Sequence, residues 1–229
     1  MKDILLNADQ AENLSQTFAT RIGTFNDLVV EQESQSLDNA KKYGAVSSEY
    51  DQGTRMVVEQ ATRNTAKREA KQFHKTLVGS SETERYDRLK ALKVMDNRVM
   101  ELEPLYESPV QMLSRVALGS QERSRYQEQL THAGPRELLN HANWAMAHGD
   151  KILAAAVLSR LDALPSTNRP IKAVDFADKI VGEEFKQVRV ALKRTRNAVQ
   201  QAINVNRDFE RGKVDSTAKI ALALARGGA

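Results

Sequence analysis

The sequence predicts an all-α protein: an elongated helical chain in which long coiled-coil-like helices flank a compact helical-hairpin middle. Three observations carry that expectation. All five prolines lie between residues 104 and 170, so nothing forbids long helices over 1–102 or 171–229. Strong helix formers (Glu, Gln, Lys, Arg, Ala and Leu) dominate the composition. Apolar residues make up 41% and charged residues 28%, enough for a thin core, and the apolar positions fall at steps of three and four. Three segments follow. Residues 1–78 hold long N-terminal helices with an acidic start and a basic second helix. Residues 79–170 form a compact helical middle with a hairpin over 135–165. Residues 171–229 carry a long heptad-patterned helix and a short apolar tail.

The first helix is predicted from about Asp9 to Lys42, with Leu14, Phe18, Ile22, Phe25 and Val29 on one face and Gly44 as its stop. A second, from about Ser47 to Leu77, has a thin apolar face of Tyr50, Val57, Ala61, Ala70, Phe73 and Leu77. Two octapeptides then mark junctions: GSSETERY at 79–86 and GSQERSRY at 119–126. Each reads as helix–Gly–Ser–helix. Gly79 and Gly119 end one helix, and Ser80 or Ser81, and Ser120, cap the next. Arg85 with Tyr86, and Arg125 with Tyr126, are the matching structural side chains. The helix after the first junction carries Tyr86, Leu89, Leu92, Met95, Val99 and Leu102 and ends at Pro104.

In the hairpin, Pro135 opens RELLNHANWAMAH, Gly149-Asp150 turns the chain, and KILAAAVLSRLDAL runs to Pro165. Trp144 reads as its core anchor. This stretch resembles a single tetratricopeptide-type unit, with Ala154 where the helices cross. No aromatic follows the Gly-Asp and the second helix is a residue short, so the resemblance implies a helical hairpin and no peptide-binding residues. The last helix bears Val181, Phe185, Val188, Leu192, Thr195, Val199, Ala202, Asn206 and Phe209 at alternating steps of four and three, a seam for a second helix or a second copy. Gly212 ends it, and STAKIALALARGGA forms the apolar tail.

Little in the sequence points to catalysis. Neither phosphate-cradling glycine loop occurs, nor a nucleophile elbow, nor a zinc-protease helix. There is no cysteine, which removes disulfides and thiolate sites. His132, His141 and His148 lack the acidic partners of a di-iron bundle, and acids such as Glu183 and Glu184, or Asp175 and Asp178, read as a solvated face. No enzyme activity, cofactor or metal is therefore expected. The longest apolar run, ILAAAVL at 152–158, is far short of a membrane span, and the first residues lack a signal-peptide core. A cytoplasmic location, or assembly into a virion within a host cytoplasm, is the expectation.

Charge is the more informative signal. Residues 1–60 hold ten acids against five Lys/Arg, a balance of −5, which leaves +9 for residues 61–229 of a chain whose total is +4. Two basic stripes lie on helix faces: Arg63, Lys67, Lys71 and Lys75 with Arg68 beside them, and Lys186, Arg189, Lys193 and Arg196 beside Arg194. They suit phosphates or an acidic helix. In composition and habit the chain resembles helical virion-internal, scaffolding or adaptor proteins of bacteriophages. That resemblance implies a non-enzymatic structural protein that self-associates or docks in a larger complex. The alternative is a nucleic-acid-associated accessory protein that uses the basic stripes for weak, non-specific binding.

Overall fold

The structure, a computed structural model, describes residues 2–44 and 52–213. They form an all-α fold with no strand among them. The helices are α1 (Lys2–Gly44), α2 (Gln52–Ser80), α3 (Glu82–Leu102), α4 (Pro109–Ser114), α5 (Gln121–Leu130), α6 (Pro135–His148), α7 (Lys151–Ala163) and α8 (Ala173–Glu210). Tyr50 and the apolar tail lie outside the described residues. The three sequence segments are shared between two compact units, neither of them continuous in sequence. One consists of Met1–Asp9 with Asp96–Arg196, the other of Gln10–Met95 with Asn197–Ala229.

In the first unit α7 is the central element. Leu153, Ala154, Ala155, Ala156, Val157, Leu158 and Leu161 are all buried, because α4, α5 and α6 pack around a helix that is apolar on every side. The hairpin chemistry is local. Pro135 occupies the first turn of α6, where its missing N–H costs nothing. Gly149 adopts φ +65°, the left-handed region, and the Asp150 amide reaches back to the Ala145 carbonyl. Asp150 then caps α7, its Oδ1 accepting from the amides of Ile152 and Leu153. Trp144 corrects the sequence reading. Its side chain is half exposed and stacks on His148 at 4.1 Å, while Leu138, Ala142 and Ala145 form the buried face of α6. A smaller cluster joins Val99 of α3 to Val188 and Leu192 of α8, with Ile4 and Tyr106 at its edge.

The second unit is built on Ala11, Phe18, Ile22 and Phe25 of α1, Leu92 of α3, and Ala198, Val199, Ala202 and Phe209 of α8. Leu14, assigned to the α1 face by its spacing, is exposed; Ser15 is buried instead. On α2 the buried residues are Ala66, Ala70 and His74, and Val57 and Ala61 face solvent.

The first octapeptide also departs from expectation. Gly79 lies inside α2, and Ser81 does not cap α3. The Ser81 amide donates to the Leu77 carbonyl and the Arg85 amide to the Ser81 carbonyl, so helical hydrogen bonding runs through the junction. The Ser81 hydroxyl is spent backwards, donating to the Leu77 carbonyl at 2.6 Å. The second octapeptide keeps its cap, but α4 already ends at Ser114, five residues before Gly119, and Arg125 is exposed, not structural. Gly119 takes φ +78°, and the Ser120 hydroxyl accepts from the Arg123 amide at 3.2 Å.

Candidate functional site

All nine seam positions of α8 are accounted for within the chain. Phe185 is half-buried and the other eight are buried. Val181 and Phe185 belong to the α4–α8 core, Val188 and Leu192 to the small cluster, and Val199, Ala202 and Phe209 to the core of the second unit. The polar seam residues have partners too: the Thr195 hydroxyl donates to the Ala191 carbonyl, and the Asn206 carboxamide oxygen accepts from Arg85. This face is therefore consumed by intramolecular packing and needs no second copy to cover it.

The two basic stripes fare differently. On α8, Lys186 pairs with Glu183 at 2.8 Å and Arg196 with Glu103 at 2.9 Å, while neighbouring Arg194 pairs with Asp9. Only Arg189 and Lys193 of that stripe lack a partner among the described residues. On α2, Arg63, Lys67, Lys71 and Lys75 are all exposed, as is Arg68, and none makes a hydrogen bond or ion pair among the described residues. The spacing of four that aligns them also fixes the buried positions: Ala66, Ala70 and His74 occupy the inward row, so the cations fall on the flank and outside.

His74 ties this face to a second element. Its Nε2 lies 2.7 Å from the Phe209 carbonyl, and its ring meets Phe209 edge-on. The chain leaves α8 in a Schellman turn, Gly212 at φ +69°, with the Gly212 amide donating to the Phe209 carbonyl and the Lys213 amide to the Asp208 carbonyl. A Cβ on Gly212 would lie 3.5 Å from the His74 ring. Arg211 and Lys213, which the sequence reading did not single out, thus flank a residue packed on α2.

Two further polar features stand out. Arg85 is fully buried; it donates to Asn206, to Glu210 at 2.8 Å, to the Val78 carbonyl at 2.9 Å and to the Ser81 hydroxyl. Its hydrogen bond holds the Glu210 carboxyl below the usual carboxylate range, with Asn206 and Tyr86 adding to the effect. Each of these bonds closes a helix end or an interhelical gap, which is structural work. The other feature is a depression of about 470 Å³ between α1 and α3, lined by Asn13, Gln16, Thr17, Thr20, Arg21, Thr24 and Arg88. Glu84 already binds both arginines, and the Arg21 bond in particular lowers its pKa. The three threonine hydroxyls donate to the carbonyls of Asn13, Gln16 and Arg21. Both charge and donors there are largely used.

Among the described residues no helix is long and apolar enough to cross a membrane, and no group of three or more His, Asp or Glu gathers as metal ligands would. Comparison with protein-family models, curated proteins and solved structures finds no match to this chain.

Proposed function

We propose that this chain is a non-enzymatic structural protein that assembles with further copies of itself, using the N-terminal half of α2 as its docking element. The observation that carries this reading is the state of residues 52–62. Over that stretch no side chain is buried, and Met56 and Val57 are 70% and 69% exposed. A helix segment of this length owes most of its stability to tertiary packing of an apolar face. Here the face made by Val57 and Ala61, with Met56 beside it, is exposed among the described residues, and a second copy supplies a cover. The docking element is α2 and not α8, whose seam is filled by the chain's own helices. The likeness in habit to virion-internal, scaffolding and adaptor proteins of bacteriophages belongs to the same reading.

The test is the mass of the particle. Size exclusion with light scattering, at two salt concentrations and over a range of protein concentration, is expected to show assembly that Met56→Asp with Val57→Asp abolishes. A chain that is monomeric throughout, or assemblies indifferent to the double variant, would refute the proposal.

A further inference from the structure

We infer that the C-terminal half of α2, together with the turn that ends α8, is a binding face for the phosphate backbone of a nucleic acid. This inference concerns another surface and another partner than the assembly reading and does not depend on it. Its first support is the composition of the exposed surface over residues 63–76. The exposed side chains there are Arg63, Lys67, Arg68, Lys71 and Lys75, a single acid in Glu69, and the neutral polar residues Asn64, Thr65, Gln72 and Thr76. No exposed apolar residue lies among them.

That composition discriminates between partner classes. Protein interfaces are depleted in lysine and rely on apolar or aromatic anchors at their centres, and this face offers none. Nucleic-acid interfaces are strongly positive and polar, with Asn, Gln, Thr and Lys hydrogen-bonding to phosphate oxygens. Bases are not read: Phe73 is turned partly inward and no exposed aromatic interleaves with the cations, so stacking on unpaired bases has no platform.

The second support is that the face is composite. The hydrogen bond from His74 to the Phe209 carbonyl holds the end of α8 against α2 between Lys71 and Lys75 in sequence, and the packing of Gly212 on the His74 ring brings its neighbours Arg211 and Lys213 to the same element. Arg211 has no partner among the described residues, and Lys213 has only Asp208 at 3.8 Å. The acids within residues 63–76 and 207–213 are Glu69, Asp208 and Glu210, and Glu210 pairs with Arg85. The third support is the contrast with α8, where acids of the chain itself neutralise Lys186 and Arg196. All four cations of the α2 row are unpaired among the described residues, against two of the four on α8.

Fluorescence anisotropy of a short mixed-sequence DNA duplex, and of its RNA counterpart, tests the assignment. With four of the cations each neutralising one phosphate of the DNA duplex, log K should fall against log salt with a slope of about −3.6. Lys67→Gln with Lys71→Gln and Lys75→Gln should weaken binding at least about tenfold at low salt and bring the slope to about −0.9. Gln is nearly as good a helix former as Lys, so far-UV dichroism and melting should match wild type. A control removing the same charge from α8, Lys186→Gln with Arg189→Gln and Lys193→Gln, should leave binding within about twofold. The inference fails if neither duplex binds at low salt. It fails equally if the control loses as much as the α2 variant, since net charge alone would then explain binding. Capture of polyglutamate in preference to both duplexes would assign the face to an acidic protein and overturn the proposal.

Discussion

The two octapeptide junctions share five residues in register, yet the chain uses them in different ways. At the first, α2 and α3 follow one another with a single non-helical residue, and Gly79 is ordinary helix. At the second, the chain breaks: Gly119 is left-handed and Ser120 caps α5. What the two have in common is a buried arginine that collects the carbonyls at the end of the preceding helix. At the first junction it is Arg85, on the Val78 carbonyl; at the second it is Arg123, on the carbonyls of Ser114 and Val116 at 2.6 and 2.8 Å. These do not sit at the same position of the octapeptide. Arg125, the true counterpart of Arg85, is exposed. Helix ends leave carbonyls without partners, and a guanidinium with five donors in a fixed fork can gather several of them. The need is the same, and the two sequences meet it from different places.

The largest effect expected from breaking this comparison is at Arg85. Arg85→Ala removes the partners of Asn206 and Glu210 and opens the Val78 carbonyl, and should cost about 3 kcal/mol in chemical denaturation. Arg123→Ala comes next, at about 2 kcal/mol, since its partners are two carbonyls and the Ser159 hydroxyl, with no carboxylate among them. Arg125→Ala should stay within about 0.5 kcal/mol of wild type. Equal losses at Arg123 and Arg125 would restore the reading of Arg125 as the structural match of Arg85.

The glycines sharpen the contrast because their signs differ. Gly119→Ala forces a Cβ into the left-handed region and should destabilise by about 1 kcal/mol. Gly79→Ala places a better helix former at a helical position with nothing within 4 Å of the new Cβ, and should stabilise by up to about 1 kcal/mol. Thermal melts of the two variants suffice. If both fall, the first junction is a helix break after all.

The smallest effect is in pH dependence. Glu210 has its folded pKa lowered by Arg85, so that contribution is present above the usual value of 4.5 and lost as pH falls through the lower folded value. The gap between wild type and Arg85→Ala should therefore narrow on acidification. The Arg123 gap should not, because its partners do not titrate in acid. At the other end, the Asp150 charge raises the Tyr126 phenol above 10.0, so that contribution is present below the usual value and lost as pH rises through the raised one. Melting curves across pH, compared with Tyr126→Phe, read this out: the alkaline loss should be smaller in the variant.

How much of this was legible in the sequence follows from how far each cause reaches. The start and turn of the α6–α7 hairpin were readable because Pro135, Gly149 and Asp150 act within a turn of themselves, while its packing was not: Trp144, read as the anchor, is half exposed. The seam of α8 was readable as a buried face, since a step of four and three is a local pattern. Its covering by the chain's own α1, α3 and shorter helices was not, because periodicity does not say what packs on it. Arg85 was read as structural, but what it does was opaque, because its partners Asn206 and Glu210 are more than 120 residues away. Of the two basic stripes, spacing alone made them equal. Partners for Lys186 and Arg196, one from α8 itself and one from Glu103, separate the half-neutralised α8 stripe from the open α2 stripe.

The interleaving of the two units has a consequence for how the chain is born. Phe18, Ile22 and Phe25 share a core with Val199 and Phe209. A ribosome adding about 5–20 residues per second therefore leaves the α1 residues uncovered for roughly ten to forty seconds before the last partner is made. Neither unit is complete when the middle of the chain emerges, because each takes residues from both sides of it. The nascent polypeptide carries an incompletely covered α1 face until α8 has been made. The emergence of the end of α8, and not of a first continuous domain, is the event that lets the second unit close.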